Sequence, residues 1–242
     1  MYRMTPNILI AQDPGFGNPQ LEIVQAFLYM VDINMMEALE RLAFSSKQCV
    51  VFHGNGVPMC CNEGNYHKVF LTVTSDFWCQ WVYQFAHEYC HHLINDTLSG
   101  EWSSFLWFEE SLCEVSSMYN LHRMESFCLA IGQERYAPDV HQYLNDLLAP
   151  NPSGIKLDAN GGWYQEHASL LSEDSGYKRE LYKTIAALLF PLFLENPHLW
   201  KILLHIDDIH SWNSLDALFD HLQSKADDSY ADSLRKMRVV FS

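Results

Sequence analysis

The residues most suggestive of chemistry are His87-Glu88-Tyr89-Cys90-His91, in which two imidazoles and a carboxylate take the spacing H-E-x-x-H. On a helix, a separation of four residues puts both histidines on one face, one turn apart, where they can reach a single ion. Neutral imidazole nitrogens suit zinc, and a catalytic zinc site needs three protein ligands with a fourth position left for water. Glu88 sits beside them as the natural base for that water. His92 points about 100° away around such a helix and stays outside the ligand set, either supporting a ligand from behind or lying on the surface.

A second acidic stretch follows, Trp107-Phe108-Glu109-Glu110-Ser111-Leu112-Cys113-Glu114, and helical spacing places Glu110 and Glu114 on one face. Two inward-facing acids are costly without a cation or a protonated partner. A zinc-ligating carboxylate at Glu110 removes that cost. Glu114 then accepts the outward N–H of His87 or His91 and orients the ring.

These groups need elements to hold them. Asn7–Ala11 reads as a short strand. Residues 20–44 read as a helix from the apolar positions Leu21, Val24, Leu28, Met35, Leu39 and Leu42, with room for an interruption near Asp32. Short strands are expected at 49–52 and 57–61. A clearer one spans 67–74, where Val69, Leu71 and Val73 alternate with Phe70, Thr72 and Thr74. Ser75-Asp76 supplies a cap, and a helix from Phe77 to about Asn95 buries Phe77, Trp81, Phe85 and Tyr89 as a stripe. Another helix is expected over 108–122. Residues 149–162 are a Pro/Gly/Asn-rich connection. Helical pieces are expected at 134–148, 165–172, 177–195, 200–205, 212–223 and 227–239, with Asn196-Pro197 dividing two of them.

The whole pattern resembles the gluzincin metallopeptidases, the group that includes thermolysin and the aminopeptidase N family. Eighteen residues separate His91 from Glu110, and Trp107-x-x-Glu110 surrounds the ligand, as in the aminopeptidase N branch. The resemblance implies an α+β fold of zincin type: a small mixed sheet plus active-site helix, then a mainly helical lobe. The order of expected strands and helices divides the chain into an α/β lobe over 1–98 and a mainly helical lobe over 99–242, with the boundary near Asn95–Gly100. The resemblance implies zinc as cofactor, a peptide or protein as substrate, His87, His91 and Glu110 as ligands, Glu88 as catalytic base and Glu114 as support for a histidine. In the family an edge strand before the metal helix pairs with an extended substrate, a role that falls here on Val69, Phe70, Leu71 and Thr72. A tyrosine opening a later helix donates to the oxyanion of the tetrahedral intermediate. Tyr182, followed by Lys183 and an apolar run, is similar to that segment, with Tyr177 and Tyr164 as alternatives. Two features differ: Glu109 stands where the aminopeptidase family has asparagine, and its Gly-Ala-Met-Glu-Asn segment is absent upstream.

Composition narrows the setting. The 242 residues, 48% of them hydrophobic, suffice for a real core. Thirty acidic side chains against 15 basic give a formal charge of −15, which repels phosphate backbones and argues against nucleic-acid or anionic-membrane partners. Met1–Pro6 lacks the apolar run of a secretory signal, and no stretch approaches a membrane span. Seven cysteines without framework spacing read as free thiols, so a cytoplasmic, reducing compartment is expected. Cys60-Cys61 reads as two strand neighbours facing opposite ways, and His53, His67 and His167 take no role. A zinc hydrolase of a non-peptide substrate and a non-catalytic metallopeptidase-like binding protein remain alternatives to a peptidase.

Overall fold

The computed structural model describes residues 1–41, 47–94, 105–150, 157, 162–172, 178–206 and 212–242. The chain is a mixed α/β protein with a small five-stranded mixed sheet and a majority of helix. Five strands, β1 (Tyr2–Arg3), β2 (Ile8–Ile10), β3 (Gln48–His53), β4 (Met59–Asn62) and β5 (Tyr66–Leu71), lie in the order β1-β2-β3-β5-β4. β2, β3 and β5 run parallel, and β1 and β4 close the two ends antiparallel.

Central position explains the composition of β3, whose Cys49, Val50 and Val51 are all buried, as expected for a strand covered on both faces. β5 alternates instead: His67, Val69 and Leu71 are buried while Tyr66, Lys68 and Phe70 are half-exposed. On that outer side the Lys68 ammonium sits 4.9 Å from the ring centres of both Phe52 and Phe70, its stem covering apolar surface.

Helix α1 (Leu21–Ala38) packs against α2 (Trp78–Ile94), and α2 packs on β5 and β4. No break occurs at Asp32: α1 is continuous there, because the buried carboxylate accepts hydrogen bonds from Asn7 and Tyr89 and has no need of solvent. Leu42 and Phe44, expected to extend this helix, lie outside the described residues.

Helix α3 (Leu106–Ala130) runs well past the expected end at His122. A 3-10 turn (Glu134–Tyr136) leads into α4 (Ala137–Leu148). Then come α5 (Trp163–Ser172), α6 (Arg179–Glu195), a 3-10 segment (Pro197–His205), α7 (Leu215–Lys225) and α8 (Ala231–Val240). Asn196 caps the 3-10 segment by accepting from the His198 N–H at 3.1 Å, and Ser214 caps α7 by accepting from Ala217 at 3.1 Å.

Two compact units emerge: Met1–Asp96 with Ser116–Leu147, and Thr97–Val115 with Leu148–Ser242. The chain therefore does not divide once, as a simple two-lobe reading of 1–98 and 99–242 expects. It returns to the first unit in the middle of α3, because Ser116, Ser117 and Asn120 bond to α1 and α2. The expected boundary near Asn95–Gly100 lies outside the described residues. Among the described residues no helix is long and apolar enough to cross a membrane.

Candidate metal centre

The H-E-x-x-H stretch lies wholly within α2, where side chains four apart share a face. The ring centres of His87 and His91 are 5.1 Å apart at an interplanar angle of 64°. His87 and Glu88 are buried, with Glu88 only 3% exposed, and His91 is half-exposed. Two imidazoles one turn apart beside a buried carboxylate form a donor set whose chemistry fits zinc.

α2 is set differently at its start from the sequence expectation. The Asp76 carboxylate accepts from the Gln20 backbone N–H and from Gln20 Nε2, both at 3.2 Å, so it ties down the entry to α1. Trp81 anchors the first turn by donating its indole N–H to the Ser75 carbonyl at 2.9 Å. Of the expected stripe, Trp81, Phe85 and Tyr89 are buried, whereas Phe77 is 60% exposed because it precedes the helix.

Beneath the histidines runs a polar network that the linear pattern did not reveal. His92 is buried, and its Nδ1 lies 2.8 Å from Nδ1 of His67 on β5. One ring must donate and the other accept, so the pair holds at least one neutral imidazole. Burial first, then the neighbouring His67 and Lys47 charges, bring His92 down to about 3. Tyr89, within the motif itself, stacks on His92 and donates to Asp32 Oδ1 at 2.6 Å. Burial and the Asp32 charge and hydrogen bond hold the Tyr89 phenol protonated, well above its ordinary value. The only sequence signal for this network is the occurrence of Asp32 inside an apolar helix and of His67 at a core-facing strand position.

The second half of α3 is fixed to α2 by two hydroxyls. Ser116 donates to the Ala86 carbonyl at 2.9 Å and Ser117 to the Tyr83 carbonyl at 2.8 Å, bracketing the backbone just before His87. Asn34 of α1 donates to Asn120 at 3.0 Å, and Asn120 donates to the Ser116 carbonyl at 2.9 Å. The middle of α3, residues 111–121, is buried on every side and tolerates this because its polar side chains find such partners.

The second unit holds Glu110, Glu114, Cys113 and Tyr182. Glu114 is fully buried and lies 3.6 Å from Nε of Arg179 at the start of α6, which supplies a cation for one of the two acids. Tyr182, in the first turns of α6, is buried; its phenol is raised above the ordinary value by burial, with the Glu110 charge adding to the rise. Tyr164 packs its ring 5.7 Å from that of Trp107, in an aromatic cluster with Trp163 and Phe241. Tyr177 lies outside the described residues. Cys113 is a buried thiol three residues after Glu110.

The expected substrate strand needs correction. β5 is hydrogen-bonded to β3 on one side and β4 on the other, so Val69, Phe70 and Leu71 offer no edge to an added chain. Thr72 lies beyond the strand, and the Thr72 and Val73 N–H groups donate to the Gln84 side chain at 2.9 and 3.2 Å. The terminal strand on this side is β4, which the short, turn-flanked segment Met59–Asn62 did not advertise.

No known family model matches this chain, and no curated protein shows significant similarity to it.

Proposed function

We propose that this protein is a zinc-dependent peptidase of gluzincin type, with a zincin-like arrangement of sheet and metal helix. The observation that carries the proposal is the pairing of His87 and His91 on one buried helix face with Glu88 between them. His87, His91 and Glu110 serve as ligands, with Glu114 supporting the site. Cys113, on the helix that carries Glu110, enters as a competing third ligand, since thiolate, imidazole and carboxylate are all zinc ligands.

Zinc held by these residues would supply the Lewis acidity that activates a water and polarises the scissile carbonyl. Glu88 takes the proton from the attacking water and passes it to the leaving amine. Its burial suits this work, because a carboxylate sheltered from bulk water holds its proton-transfer geometry without competing solvent. Tyr182 donates its phenolic proton as a hydrogen bond to the oxyanion; burial keeps that phenol neutral at pH 7. An extended peptide pairs with β4, the end strand on which α2 packs.

The test is digestion of a peptide library, read by mass spectrometry, by zinc-reconstituted protein with and without chelator, alongside Glu88→Gln. Chelator-sensitive cleavage is expected, with turnover in E88Q down by roughly 10²–10⁴ and zinc content unchanged. Wild-type turnover in E88Q, or less than about a tenth of an equivalent of zinc after reconstitution, overturns the reading. Comparing zinc content in Glu110→Gln and Cys113→Ala decides the third ligand.

A further inference from the structure

The two faces of the sheet are covered unequally within the first unit. On one face His67, Val69 and Leu71 of β5 are buried, and His67 meets His92 of α2. α1 stands on that same side, since its Asp32 accepts from Tyr89, which stacks on His92. The opposite face is built from cross-strand rows, whose paired residues point the same way. Arg3, Leu9, Val50 and Lys68 form one row, and Phe52, Phe70 and Met59 the next. Val50 is buried, but Leu9, Phe52 and Phe70 are half-exposed and Met59 is 43% exposed. Parallel strands ordinarily carry helices on both faces. Here the Lys68 stem, laid over Phe52 and Phe70, supplies part of that cover. Neither row contains an acid, and Glu63 is exposed in the turn after β4. Among the described residues Arg3 and Lys68 take part in no ion pair, in a chain with 30 acidic side chains against 15 basic. Three strand spacings separate these two cations, roughly 14 Å.

We propose that this face docks an acidic amphipathic helix of a partner protein, its apolar stripe on Leu9, Phe52, Phe70 and Met59 and its flanking carboxylates on Lys68 and Arg3. A helix is the element that covers parallel strands in α/β folds, and a one-sided apolar stripe fits a flat apolar surface. Lys68 rests on two aromatic rings, so a carboxylate that meets it there is partly desolvated and less screened than on open surface. The formal charge of −15 repels acids at long range. Pairing at Lys68 and Arg3 is therefore local, and it selects among partners more than it speeds their approach. An anionic bilayer presents unbroken negative charge to the whole chain and fits the face less well for that reason. All of these residues lie in the first unit, and none belongs to the candidate metal centre.

The experiment uses two synthetic helical peptides with one Leu/Phe stripe, flanked by glutamates in the first and by lysines in the second. Each is titrated into full-length protein at about 150 mM salt, where the Debye length is about 8 Å. The methyl resonances of Leu9 and Met59, assigned with Leu9→Val and Met59→Leu, report where it binds. The acidic peptide is expected to shift both saturably and to bind at least about fivefold more tightly than the basic one, against the field of the whole chain. Lys68→Glu is expected to reverse that order with the circular dichroism spectrum intact, an outcome that a merely structural lysine does not produce. Phe70→Thr is expected to weaken both peptides roughly three- to tenfold. Equal binding of the two peptides, or preference for the basic one, overturns the proposal. A shift confined to Met59 also overturns it, because the peptide then lies on the β4 edge. Phosphatidylserine vesicles that shift both methyls where the acidic peptide does not make the face a lipid anchor, and shifts on dilution alone assign it to a second copy of the chain; either result overturns the proposal.

Discussion

Replacing Tyr89 by phenylalanine removes one hydroxyl from the network beneath the candidate metal centre and leaves the ring in place. In the native chain that hydroxyl donates to Asp32 Oδ1 at 2.6 Å, a short charge-assisted bond between two buried groups. Such bonds contribute about 1.5–3 kcal/mol net. Their loss also leaves the Asp32 carboxylate with only Asn7 Nδ2, at 3.1 and 3.4 Å, as a described partner. Tyr89→Phe should therefore destabilise the first unit by roughly 2–3 kcal/mol, with the leftover buried charge placing it toward the upper end. For a chain of this length that corresponds to a fall in Tm of about 4–12 °C. Urea denaturation of Tyr89→Phe, Asp32→Asn and the double variant supplies the cycle. In the Asp32→Asn background the tyrosine hydroxyl meets a neutral acceptor, so its removal should cost about half as much. A Tyr89→Phe cost below about 0.5 kcal/mol, or one equal in both backgrounds, would refute the claim that a charged hydrogen bond couples α1 to α2.

Three further outcomes follow from particular contacts. Tyr182→Phe should lower turnover about a hundredfold with zinc content unchanged; an unchanged rate, with a drop of that size in Tyr164→Phe or Tyr177→Phe, moves the oxyanion donor elsewhere. The Cys79 thiol, pushed up to about 12 mainly by burial, should resist iodoacetamide at pH 8 because roughly one part in 10⁴ is thiolate. Rapid Cys79 labelling in peptide mapping of native protein contradicts that placement. Gly15→Ala should destabilise by about 1–3 kcal/mol, since an added Cβ would lie 2.3 Å from His53 Nδ1 and force the ring to move; a neutral result by thermal melting places His53 elsewhere.

The linear pattern of the sequence determined most of the local structure and the part of the site carried on one helix. His87, Glu88 and His91 are four residues apart or fewer, and the helical period alone sets their common face. Strand alternation at Val69 and Leu71 and the break at Asn196-Pro197 were legible for the same reason, since each is a property of neighbouring residues. What lay beyond the pattern depends on residues distant in the chain. Asp32 looked like a helix interruption until Asn7 and Tyr89, 25 and 57 residues away, were brought to it. β5 looked like a substrate strand, but only pairing decides which strand ends a sheet, and β3 and β4 occupy both its sides. In α3 the small polar residues Ser116, Ser117 and Asn120, which read locally as indifferent helix formers, find carbonyl and amide partners on α1 and α2. Periodicity fixes which way a side chain faces; the tertiary fold decides what it meets there, because a buried polar group is stable only where a partner has been supplied.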